Sequence, residues 1–113
     1  MNTRMVNYPV LWDLRRFFAL LAQELEAGPA IVSTTPALFL AELHDMDVNA
    51  ARLHFRKYVP ILQREGLCER GPVVNKVYTW RARGTKGAPR RGMQRARVEA
   101  DRLLRRYRHQ YGQ

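Results

Sequence analysis

The chain has 113 residues, enough for one domain with an appendage and too few for a second hydrophobic core. Its formal net charge of +10, beside an ordinary apolar content of 46%, calls for an acidic partner. A single cysteine, Cys68, excludes an intrachain disulfide and a Cys-based zinc site. The charge is also unevenly spread. Residues 1 to 80 hold nine Lys/Arg against eight Asp/Glu, and residues 81 to 113 hold eleven against two. Seventeen of the twenty cations are Arg, whose planar fork matches phosphates and guanine edges, so this composition favours nucleic acid.

Leu11, Leu14, Phe18, Leu21 and Leu25 recur at helical spacing after Pro9, and Gly28-Pro29 is a stop, so a first helix is predicted over residues 9 to 27. Phe17 and Leu20 widen its apolar stripe, and Trp12 is expected to pack in the core or on a hairpin. Asp13, Arg15, Arg16 and Glu24 break this stretch, which excludes a membrane span or a signal-peptide core and leads us to expect a soluble, unprocessed, cytoplasmic protein associated with the nucleoid.

Ile31 and Val32 form a short strand at most. A second helix is predicted over residues 36 to 44, with Thr35 as its cap and Pro36 in its first position. After a turn at residues 44 to 47, Asp47 is suited to cap a third helix. Val48, Ala51, Phe55, Tyr58, Val59 and Leu62 form its apolar face, leaving Asn49, Arg52, His54, Arg56 and Lys57 outside. Pro60 removes one helical hydrogen bond and predicts a kink near Arg56 or Lys57. Gly66 fits the left-handed position that ends a helix, with Leu67 packing back on Leu62 in a Schellman motif. Residues 67 to 70 and 76 to 81 then read as a hairpin around a loop at residues 71 to 75.

Helix, strand, helix, turn, helix and hairpin, together with Ala41, the Asp47 cap, Ala51, Gln63-Arg64-Glu65-Gly66-Leu67-Cys68-Glu69-Arg70 and Val77-Tyr78-Thr79-Trp80, resemble the winged helix-turn-helix family. The resemblance covers residues 9 to 83. Asp45-Met46 stands where the family commonly has a glycine. The resemblance implies a mainly α fold with a small β-hairpin, an α+β class. It also implies a third helix that enters the DNA major groove and a hairpin that touches the flanking backbone.

The residue chemistry fits that implication. Asn49 is suited to an adenine edge and Arg52 or Arg56 to guanine, while Lys57, Arg70 and Lys76 are better placed for phosphates. Arg81, Arg83, Lys86, Arg90 and Arg91 continue the positive strip, the last three in a basic Gly/Pro linker over residues 84 to 92. With about six phosphates neutralised, log affinity falls with log salt at a slope near −5.

An Arg-rich helix or tail is predicted over residues 93 to 113. Met93, Ala96, Ala100, Leu103 and Tyr107 line a narrow seam suited to a second copy of the chain, and Glu99 with Arg102 and Asp101 with Arg105 are spaced as surface pairs. The expectation is a transcriptional repressor or regulator that binds double-stranded DNA as a homodimer, needs no cofactor or metal and is not an enzyme. Glu42, His44, Asp45 and Asp47 read as residues of helix ends rather than metal ligands. Two alternatives from other classes stay open: an RNA-binding or ribonucleoprotein component, and a protein-contact module in which Val73 and Val74 dock on a replication or partition partner.

Overall fold

Asn7 opens the first helix, accepting at Oδ1 a hydrogen bond of 3.2 Å from the Val10 amide. A computed structural model describes residues 5–23, 30–84 and 96–112. In it α1 spans Tyr8–Ala22, and its apolar residues from Val10 to Leu21 are almost all enclosed. Residues 24 to 27 of the predicted first helix lie outside the described residues. Trp12 departs from expectation: it stands 52% exposed, because the stripe of α1 turns Leu11 and Leu14 inward and leaves position 12 outside.

β1 (Ile31–Val32) precedes α2 (Thr34–His44), which begins two residues before the predicted Pro36. Ser33 rather than Thr35 occupies the cap position and makes no side-chain cap bond. Its hydroxyl instead accepts from the Trp80 indole at 2.9 Å, and Thr35 is buried. Asp45 ends α2 in the left-handed conformation, φ 51°, which a short polar side chain tolerates where a β-branched one does not.

α3 spans Val48–Arg64 and starts as the sequence predicts, with Asp47 Oδ2 accepting from the Asn49 and Ala50 amides. It runs through Pro60, which lies on the exposed face. Its end is the predicted Schellman motif: the Leu67 amide donates to Leu62 O and the Gly66 amide to Gln63 O, both at 3.0 Å, with Gly66 at φ +75°.

The second strand of the hairpin begins later than predicted, and part of the predicted loop pairs beyond the strands. β2 is Cys68–Arg70 and β3 is Thr79–Ala82, and the sheet order is β1-β3-β2, antiparallel throughout. Arg70 pairs with Trp80, and beyond the strands Val74 pairs with Val77 across a tight turn with Asn75 at φ 50° and Lys76 at φ 65°. Positive φ at both central residues matches the right-handed twist of a hairpin. Between these two pairings the first strand advances one residue more than the second, a β-bulge at Gly71 and Pro72 opposite Thr79. Thr79 secures it, its carbonyl accepting from the Gly71 amide at 2.8 Å and its hydroxyl donating to Pro72 O at 2.6 Å.

α4 (Ala96–Tyr111) corrects the reading of the tail as a seam for a second copy. Ala96, Ala100, Leu103 and Tyr107 are buried within their own chain, where α4 packs on α1 and α2. Met93 lies outside the described residues. The stripe needed an apolar partner, and the same domain supplies it. The Glu99–Arg102 pair forms at 2.5 Å, whereas Asp101 and Arg105 line a shallow cleft with Glu42. Among the described residues the fold is therefore α+β, with four helices and one small three-stranded antiparallel sheet. Rings of Trp80, Phe55, Phe18, Phe17, Phe39 and Tyr107 follow one another through its core at centroid spacings of 5.0 to 6.3 Å. No described helix is long and apolar enough to cross a membrane.

Candidate nucleic-acid interface

Successive residues of an α-helix turn by about 100°, so Ala51, Phe55, Tyr58 and Leu62 fall on the buried side of α3 and Asn49, Leu53, Arg56 and Pro60 on the opposite one. Asn49 and Arg56 are exposed there. Arg52 is at the edge, half-buried, with Nη2 donating to Thr34 Oγ1 at 3.2 Å. Lys57 is exposed, and its ammonium donates to Met5 O at 2.8 Å. α3 carries four formal cations, Arg52, Arg56, Lys57 and Arg64, and no acid. His54, stacked on Tyr58 at 5.9 Å, is half-buried; burial first, then Lys57, holds its imidazole below the usual pKa.

Two neighbouring hydroxyls connect this helix to the hairpin. Thr34 accepts from Arg52, and Ser33 accepts from Trp80, whose ring meets Phe55 of α3 edge-on at 5.8 Å. Arg70, the cross-strand partner of Trp80, lays its guanidinium 4.2 Å from the exposed Tyr78 ring and 5.5 Å from that of Trp80. Arg70, Tyr78 and Trp80 thus share one side of the hairpin, and on that side Trp80 meets α3. Lys76 is exposed at the tip.

The remaining predicted backbone cations divide. Arg83 is exposed and its guanidinium overhangs Gly66 at the C-terminus of α3, where the carbonyl ends attract a cation. Arg81 is half-buried opposite Glu69, with Nε enclosed. Its position inside a strand, with neighbours on both sides, accounts for this. Lys86, Arg90 and Arg91 lie outside the described residues.

No family model, curated protein or solved structure matches this chain.

A second polar cluster, at the junction of α1, α2 and α4, was not legible in the sequence. Asp13 is buried, takes His44 Nε2 at 2.6 Å and accepts from the Tyr107 hydroxyl, which in turn accepts from Arg16 Nη1 at 3.2 Å. Arg16 also lies 4.4 Å from the Tyr111 ring centroid and 5.5 Å from that of Trp12. Burial, then the bond to Asp13, pushes the Tyr107 phenol above its ordinary pKa. With Pro9 and Leu43, all of these side chains except Tyr111 line an open pocket of about 330 Å³. The cluster ties α4 to the body, and it engages His44 away from Asp45 and Asp47. Only three separate helices bring its members together, so no spacing in the sequence announces it.

Proposed function

We propose that the protein is a winged helix-turn-helix that binds double-stranded DNA and acts as a transcriptional repressor or regulator. Helix α3 enters the major groove, with Asn49, Arg52 and Arg56 addressing base edges. The hairpin, through Arg70 and Lys76, and the cations Lys57 and Arg83 grip the flanking phosphates. The observation that carries this reading is the outward side of α3: an acid-free strip with Asn49 and Arg56 exposed, on a helix whose Phe55 meets Trp80 of a hairpin that carries the exposed Arg70 and Lys76. The element order and the β1-β3-β2 sheet support it as well.

The division of roles is physical. A bidentate contact from Arg to guanine or Asn to adenine gives about 1 to 3 kcal/mol of discrimination, whereas a phosphate contact adds affinity without sequence. Selection of bound fragments from a random duplex pool, followed by fluorescence anisotropy on the selected site, tests the reading. Arg56→Ala is expected to weaken the selected site more than random duplex and to relax one base position. Arg70→Ala is expected to weaken both alike and make the salt dependence shallower. Absence of duplex binding at low salt, or a stronger preference for RNA at matched salt, would overturn it. The same selection reports on pairing: with the α4 stripe enclosed, a two-fold symmetric site would assign the homodimer contact to another surface.

A further inference from the structure

Leu53 has no role in the packing of the domain. It is 64% exposed in the middle of α3, whose neighbouring apolar residues Ala51 and Phe55 are fully buried. A single exposed leucine is ordinary on a helix. What marks this one is its place, on the strip between Asn49 and Arg56, about 6 Å along the axis from the first and about 4.5 Å from the second. Those intervals correspond to one or two steps of a duplex that advances about 3.4 Å per base. Around it stand Arg52, Arg56 and Lys57, and α3 contains no acid, so whatever covers Leu53 must tolerate concentrated positive charge. An apolar protein surface brings no countercharge to this strip of cations. The major groove meets both demands: its walls are polyanionic, and its one apolar group is the thymine methyl.

We infer that Leu53 is a specificity-determining residue that packs on a thymine 5-methyl group, between the base contacts of Asn49 and Arg56. The inference rests on the DNA-binding reading above and adds to it a required base and the atom by which it is recognised. Burial of one methyl group is worth about 0.8 kcal/mol, which is about fourfold in affinity.

The test removes that methyl from the DNA and its partner from the protein. Each thymine of the selected site is replaced in turn by deoxyuridine, which keeps every hydrogen-bonding edge, and affinities are measured for the natural chain, Leu53→Ala and Leu53→Met. One thymine per bound α3 is expected to lose about fourfold on replacement with the natural chain. With Leu53→Ala, thymine and uracil at that position are expected to bind equally, and Leu53→Met restores most of the difference. Leu53 is exposed, so an unchanged thermal melt verifies that each variant folds. Indifference to uracil at every position, or an equal loss with the natural chain and Leu53→Ala, overturns the inference while leaving DNA binding standing. Failure to bind any duplex overturns both.

Discussion

Truncation of Leu103 to Ala measures directly whether the last helix belongs to the core. Leu103 is 0% exposed, so the substitution removes buried methyl groups and leaves a void that close-packed neighbours refill only in part. Such truncations cost about 2 to 5 kcal/mol. For a domain of about 100 residues each kcal/mol lowers the melting temperature by roughly 4 to 8 °C, so a cost of about 3 kcal/mol corresponds to a fall of about 12 to 24 °C. Val98, on the same helix but exposed, is the control, and Val98→Ala is expected to change stability by less than about 0.5 kcal/mol. Circular dichroism melts and urea titrations at two protein concentrations a hundredfold apart provide the readout. A cost below about 1 kcal/mol for Leu103→Ala, or a melting temperature that rises with concentration in the natural chain and loses that rise in the variant, would refute the reasoning. The second pattern would mean that α4 packs on another copy.

Gly66→Ala forces a Cβ into the left-handed region and brings it within 2.9 Å of Arg83 Nη1. The guanidinium can swing away, so the backbone dominates and the expected loss is about 1 to 2 kcal/mol in a urea titration. Cys68 is buried, and burial followed by the neighbouring Glu69 pushes its thiol up to about 12. A thiol is reactive only as thiolate, so native protein at pH 8 is expected to resist alkylation that proceeds readily in denaturant, as judged by mass spectrometry. His54 has a lowered pKa in the folded state, so its contribution is present above the ordinary histidine value and is lost as pH falls through the folded one. Replacement with Gln is expected to flatten the fall in urea-midpoint stability between pH 7 and pH 5.

What could be read from the chain was what is decided locally. The Asp47 cap, the Gly66 termination and the apolar face of α3 each depend on residues within one or two turns, and all three form as expected. Periodicity shows that a helix has an apolar side without saying what covers it. That is why the stripe of α4 fits a second copy as well as its own α1 and α2, and why a wide stripe beside Trp12 suggests packing in the core or on a hairpin where the ring stands exposed. The start of α2 shifted because Ser33 found a partner 47 residues away in Trp80, a competition that no capping rule contains. On the candidate interface, Asn49, Arg52 and Arg56 were visible because polar residues on an amphipathic helix announce themselves. Leu53 was not, since an apolar letter in a helix reads as core until its exposure is measured.

The bulge at Gly71 and Pro72 sets the parity of the hairpin. By inserting one residue, it puts Arg70 and Val73, an odd number of positions apart, on the same side of the ribbon, facing Trp80 and Tyr78. Loss of Gly71 or Pro72 would therefore close the bulge and remove a bond that Thr79 makes to it, while Val73 still faced Tyr78 and the turn at Asn75 and Lys76 kept its register.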